Sequence, residues 1–185
     1  MEMGMMNREM TNQRRRLLLF TGDGKGKTTA ALGMALRASG HGMLVKIIQF
    51  IKDVPATGEV AAVKHLPGVE LIQTGLGFVP VEDNDEFPRH REAAERGLLL
   101  AEEAIRSGQY GLIVLDEICN AIALNLLSEE RVVAVIQEAG PDQALVLTGR
   151  GASKSLIAMA DTVTVMTCFK HAMTEGRPAG KGVEY

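Results

Sequence analysis

The chain has 185 residues, 46% hydrophobic but only 4% aromatic, with two cysteines and a formal net charge of −3 at pH 7. That length suits one α/β domain with an aliphatic core and leaves little room for a second. The acidic balance argues against a nucleic-acid binder and the short apolar runs against a membrane span, while Cys119 and Cys168 are too few and too far apart for a zinc or disulfide framework, which points to a reducing cytoplasm.

Residues 1–13 are polar, Met-containing and without a period, and are expected to form a flexible arm ahead of a single domain over 14–185. Arg14, Arg15 and Arg16 read as the solvated flank of a first strand. Residues 17–20 are a continuous apolar run ending before Gly22, the pattern of a buried parallel strand. Residues 27–38 are rich in helix formers and stop at Ser39 and Gly40, predicting a helix against a sheet. Residues 44–48 predict a second strand, 59–66 a short helix ended by Pro67 and Gly68, and 69–72 a third strand. Residues 74–85 carry Gly75, Gly77 and Pro80 and read as a loop.

Residues 88–107 show helical amphipathicity. Ala94, Leu98, Ala101 and Ile105 share a face, and Glu95, Glu102 and Glu103 lie off it. Residues 112–115 predict a fourth strand. Residues 128–138 predict a helix with Ser128 as its N-cap and Glu129 and Glu130 in the first turn, where the helix dipole favours acids. Residues 144–147 and 162–166 predict two more strands. Strands alternating with helices give an α/β fold, P-loop NTPase-like, with a mostly parallel sheet of about six strands flanked by helices. His41, His65 and His90 lack ligand spacing and are expected at the surface, and Cys119 as a small core residue.

The strongest motif is Gly22, Asp23, Gly24, Lys25, Gly26, Lys27, Thr28 and Thr29, between a buried strand and a helix. Glycines let consecutive N–H groups turn toward one anion, and the helix N-terminus adds positive potential. Lys27 supplies a mobile cation, and the Thr28 hydroxyl suits a Mg²⁺ ligand. The spacing is shorter than the usual G-x-x-x-x-G-K-[ST]: Gly22 to Gly26 encloses three residues, and Thr21 stands where the first glycine is expected. Residues 112–115 lead into Asp116 and Glu117. Alone, such a pair reads as an exposed turn. Beside a phosphate loop it reads as a Mg²⁺ site, because strand carboxyl ends meet at the ligand crevice of a parallel sheet. Arg150, just beyond the fifth strand, suits a phosphate partner or a solvated turn residue.

These segments occur in order with Gln49-Phe50-Ile51-Lys52, Thr148-Gly149-Arg150-Gly151, Ala160-Asp161 and Lys170-His171-Ala172. Together they resemble the P-loop class of ATP:corrinoid adenosyltransferases, the cob(I)yrinic acid a,c-diamide adenosyltransferase family. The resemblance covers about residues 17–185, and the short phosphate loop is itself a family feature. It implies transfer of the 5′-deoxyadenosyl group of ATP, the co-substrate, to Co(I) of a reduced corrinoid (cobyrinic acid a,c-diamide, cobinamide or cobalamin), with release of triphosphate. It implies that the loop binds triphosphate in a reversed sense, leaving C5′ open to cobalt. It further implies Thr28 and Glu117 as ligands of Mg²⁺, or of Mn²⁺ in its place, with Asp116 behind them. Lys27 and Arg150 become triphosphate partners, Arg37 a residue near the nucleotide, and Phe78 the aromatic residue against the corrin face. A homodimer and a flavoprotein reductant are the implied protein partners. Family members often carry Trp two residues beyond that Phe, where Pro80 stands here, and a longer N-terminal segment.

The competing enzyme is a P-loop NTPase or small-molecule kinase, which releases ADP. A non-catalytic nucleotide-binding module is the competitor from another class, and would show only ligand-driven stabilisation. The short loop argues against the first, and the loop holding Phe78 and the tail at 170–185 against the second.

Overall fold

Six strands pair side by side in the computed structural model, which describes residues 15–53, 57–80 and 84–183. The expected arm at 1–13 lies outside them. The strands are β1 (Arg16–Thr21), β2 (Val45–Gln49), β3 (Val69–Gln73), β4 (Leu112–Asp116), β5 (Ala144–Thr148) and β6 (Thr162–Val165). They form one sheet in the order β3-β2-β4-β5-β1-β6, and every pairing is parallel. The register sets Leu18 beside Val146, and Gln49 beside Asp116. Both faces are covered, so the central strands are apolar almost throughout.

Successive side chains of a strand point to opposite faces. In β4, Ile113 and Leu115 enter the core beneath α3 (Phe87–Ser107), α4 (Ile118–Ala123), α5 (Glu129–Gln137) and α6 (Lys154–Met159). Leu112 and Val114 enter the other, beneath α1 (Lys27–Gly40) and α2 (Gly58–Val63). Ala94, Leu98, Ala101 and Ile105 of α3 are all buried, as their spacing requires. Each large aliphatic side chain so removed from water contributes about 1.5–3 kcal/mol. Ser128 caps α5, its hydroxyl accepting the Arg131 N–H at 3.3 Å.

Two expectations need correction. Glu102 is buried, because Arg106 at 2.6 Å and Arg131 at 2.5 Å neutralise its carboxylate where α3 meets α5. His90 is also buried, on the inner face of the first turns of α3, whereas His41 and His65 are exposed. The sequence pattern also omitted α4 and α6, six residues each. Such helices are too short to display a period. No helix among the described residues is long and apolar enough to cross a membrane.

Candidate active site

The loops that leave the carboxyl ends of β1, β2, β4 and β5 converge on one edge of the sheet. A cleft of about 560 Å³ opens there, lined on one side by Gly24 to Thr29 and on the other by Lys52, Glu59, Glu117 and Arg150. Gly22 and Gly26 both have positive φ, +94° and +108°. A Cβ on Gly22 would sit 2.5 Å from the Met166 carbonyl oxygen, and one on Gly24 2.7 Å from the same atom. The turn is therefore pressed against the chain leaving β6, and the Gly24 N–H donates to Met166 O at 2.7 Å. Gly26 then opens α1 directly into the cleft.

The Lys27 ammonium spans this turn, donating to the carbonyls of Gly22 and Gly24 at 2.6 Å each. Burial lowers its pKa, and the Arg150 guanidinium lowers it further. Arg150 approaches the same turn from β5. Its Nη2 donates to the Asp23 carbonyl at 3.4 Å, and its Nε lies 4.0 Å from the Asp23 carboxylate. The Arg150 backbone N–H is fixed by Asn120 Oδ1 at 2.8 Å.

Asp116 ends β4 with its carboxylate almost wholly buried. Oδ1 accepts from Thr28 Oγ1 at 2.8 Å and from Thr148 Oγ1 at 2.7 Å, and Oδ2 accepts from Gln49 Nε2 at 3.0 Å. Glu117 follows in the left-handed region, φ 65°. Its backbone N–H donates to Thr148 Oγ1, and its side chain turns to the cleft. Glu117 Oε2 is buried without a hydrogen-bond partner. Burial raises the Glu117 pKa, and the Asp116 charge adds to the effect. A buried carboxylate oxygen without a donor, beside Thr28 and opposite a loop of amides, fits a divalent cation shared with phosphate oxygens. Magnesium ions are commonly held that way, by one or two carboxylates and the substrate. No group of three His, Cys, Asp or Glu that could hold a metal ion occurs among the described residues.

The fold thus brings together Gly22, Asp23, Gly24, Lys25, Gly26, Lys27, Thr28, Thr29, Asp116, Glu117 and Arg150. It does not bring in Arg37, which is exposed in the last turn of α1, ten residues and so about 15 Å of helix beyond Lys27. Phe78 lies in the loop after β3, outside the cleft lining and 92% exposed. Residues 81–83 of that loop lie outside the described residues.

Glu59 and Asn120 at this site carry no sequence signal, and Gln49 and Lys52, the ends of the motif at 49–52, have no site role assigned from sequence. Lys52 pairs with Glu59 at 3.0 Å and lies 3.7 Å from Asp116. Gln49 and Lys52 stand at the end of an apolar strand. A polar residue there, in a chain with a phosphate loop, is the signal that identifies them.

A strand, a glycine turn, a lysine and a threonine at a helix start, and an acid on a neighbouring strand define a P-loop nucleotide-binding protein of the α/β class. Solved structures agree on the fold. The flagellar accessory protein FlaH from Methanocaldococcus jannaschii superposes with a TM-score of 0.53 at 11% identity, covering 82% of this chain and 70% of that one. The KaiC-like protein PH0186 from Pyrococcus horikoshii OT3 gives 0.52 at 17%, covering 83% and 71%. The family model for ATP:corrinoid adenosyltransferase BtuR/CobO/CobP matches residues 13–185, and the chain belongs to that family. A corrinoid adenosyltransferase from Pseudomonas aeruginosa is 41% identical over 91% of this chain and 83% of its own length. Another from Escherichia coli K12 is 34% identical over 91% and 85%. The chain is accordingly a transferase of the adenosyl group.

Proposed function

We propose that this chain, as one domain over residues 14–185, transfers the 5′-deoxyadenosyl group of ATP to Co(I) of a corrinoid and releases triphosphate. The observation that carries the reading is the meeting of Thr28, Asp116 and the donorless Glu117 Oε2 across a shortened phosphate loop, in a chain of this family.

The chain's part in the reaction is positioning and electrostatics. Backbone amides of residues 22–28, except that of Gly24, which donates to Met166 O, would hold the triphosphate, with Lys27 and Arg150 supplying positive charge. Thr28 and Glu117 would hold Mg²⁺, or Mn²⁺ in its place, and Asp116 would orient Thr28 from behind. The cation, when bound, offsets negative charge on the phosphate oxygens. Co(I) is a strong nucleophile, so no side-chain base is required. Phe78, on a loop beside the cleft, would lie against one corrin face. We place the protein in the cytoplasm as a homodimer that receives its reduced corrinoid through a flavoprotein. The unpaired Cys119 and Cys168 accord with a reducing compartment.

Incubation with MgATP and chemically reduced corrinoid tests this. The expected products are a light-sensitive alkyl corrinoid and one triphosphate per turnover. Stoichiometric ADP would instead establish a kinase or NTPase.

A further inference from the structure

Lys52 lines the nucleotide cleft without belonging to the phosphate loop. The strand that ends three residues before Lys52, β2, lies between β4 and β3 in the sheet. On one side, Phe50 N–H donates to the Asp116 carbonyl at 3.0 Å. On the other, the loop that carries Phe78 is bonded to the same short segment: Thr74 N–H to Gln49 O at 3.0 Å and Gly77 N–H to Ile51 O at 2.8 Å. Gly75 approaches so closely that a Cβ there would sit 2.1 Å from the Ile51 carbonyl carbon. Residues 49–52 are therefore the backbone joint between the acidic end of the nucleotide cleft and the Phe78 loop. The Lys52 side chain lines the cleft at that joint, 26% exposed, with Glu59 Oε1 at 3.0 Å and Asp116 Oδ2 at 3.7 Å.

We propose that Lys52 is a catalytic cation for adenosyl transfer, contacting the oxygen that leaves C5′. This rests on the function proposed above. If the nucleotide lies between the phosphate loop and Phe78 with C5′ toward cobalt, the bond that breaks is at the Lys52 end of the triphosphate. In the step, the cobalt electron pair forms the Co–C5′ bond and the C5′–O bond breaks. Its electron pair remains on the triphosphate oxygen. Cobalt is formally oxidised from +1 to +3, C5′ is reduced, and no proton moves. One unit of negative charge appears on that departing oxygen, and a fixed ammonium beside it is worth more in the transition state than in the ground state. Lys27 is already held by the Gly22 and Gly24 carbonyls within the phosphate loop, whereas Lys52 reaches the cleft from the end of β2. Burial would lower the Lys52 pKa, but the Asp116 and Glu59 carboxylates outweigh it and raise the pKa, so the ammonium remains charged. Glu59, from the first turn of α2, then acts as a positioning residue that aims Lys52.

The test compares the full chain with K52A, K52R and E59Q under saturating MgATP and pre-reduced Co(I) cobinamide. MgATP affinity is measured separately by calorimetry. Loss of a preorganised charge at a leaving group typically costs about 10²–10³ in kcat. We expect a fall of about that size in K52A with MgATP Kd changed less than threefold. We expect partial recovery in K52R, saturable recovery of K52A by methylammonium, and a smaller kcat loss in E59Q. K52A within threefold of the parent in kcat overturns the proposal, as does a loss carried wholly by Kd. A loss that neither arginine nor methylammonium repairs, with a lowered Tm, also overturns it and makes Lys52 a structural ion-pair residue. If the parent itself forms no alkyl corrinoid and triphosphate, the function proposed above fails, and this proposal with it.

Discussion

Thr28 and Asp116 lie 88 residues apart in the chain, and the Thr28 hydroxyl donates to Asp116 Oδ1 at 2.8 Å. Through that one oxygen, which also accepts from Thr148, the start of α1 is tied to the ends of β4 and β5. The contact gives the two adjacent acids different work. Asp116 organises donors from three elements, while Glu117 keeps a free oxygen at the cleft.

Asp116→Asn and Glu117→Gln should therefore separate. An amide at 116 faces at least one donor with a donor of its own, and leaving a buried group unpaired costs about 1–3 kcal/mol. Asp116→Asn should lose stability by that amount in urea denaturation and lose turnover with it. Glu117→Gln should lose no stability and need roughly tenfold more Mg²⁺ for half-maximal turnover, the scale on which one ligand contact is worth about 1.4 kcal/mol. A crippled but stable Asp116→Asn beside a silent Glu117→Gln would reverse the two assignments.

The raised pKa of Glu117 has a consequence for stability in Mg²⁺-free buffer. The folded protein holds the proton where the unfolded chain, with an ordinary value of 4.5, has released it. That contribution is complete below the unfolded pKa and is lost as pH rises through the raised folded one. The stability of the parent relative to Glu117→Gln should therefore fall as pH climbs above 4.5, read as the difference in urea midpoints. Added Mg²⁺ should remove the fall, because the cation favours the charged carboxylate. A difference that is flat with pH would place Glu117 in water.

Lys27→Ala removes the ammonium held between Gly22 and Gly24. The fold should survive, since the lysine is half-buried and its bonds are to a turn. MgATP Kd should rise by roughly tenfold or more, and kcat/KM should fall by about 10²–10³, as when a charged donor to a phosphate is removed. Calorimetry and steady-state rates check this, and near-normal turnover would move the triphosphate elsewhere.

The central strands and α3 are readable because β4 and β5 are buried apolar runs and α3 repeats at helical spacing over 21 residues. The phosphate loop and the acids after β4 were readable because glycines, lysine, threonine and carboxylates stand at fixed offsets from those strands. What stayed hidden depends on partners distant in sequence. Glu102 carries a surface-type side chain, and its burial becomes tolerable when Arg131, 29 residues on, joins Arg106 on its carboxylate. Lys52 and Glu59 acquire meaning only when the end of β2 and the start of α2 meet Asp116. Arg37 illustrates the converse. Its place in α1 was correctly assigned, but ten residues of rise carry it away from the phosphate loop.

Phe78 gives the most specific prediction. A ring 92% exposed contributes little to the core, so Phe78→Ala should leave stability within about 0.5 kcal/mol of the parent. Its proposed work is on the corrinoid. Cobalt in the +2 state is hard to reduce while an axial ligand holds electron density on it, and removing that ligand lowers the energy of the orbital to be filled. An apolar ring against one corrin face would exclude both water and the corrinoid's own base from that position. The loop is suited to hold such a ring, since the Gly77 N–H is tied to Ile51 O at 2.8 Å and Pro80 follows two residues beyond Phe78. Turnover that begins from Co(II) with a reductant should therefore fall at least tenfold in Phe78→Ala, an effect of about 1.4 kcal/mol on the reduction step. Turnover from pre-reduced Co(I) should fall much less, because reduction has already occurred. The check is a pair of initial-rate measurements on the same variant, with its Tm recorded alongside. Equal losses from both starting states would remove Phe78 from the reduction step and assign the corrin face to other residues.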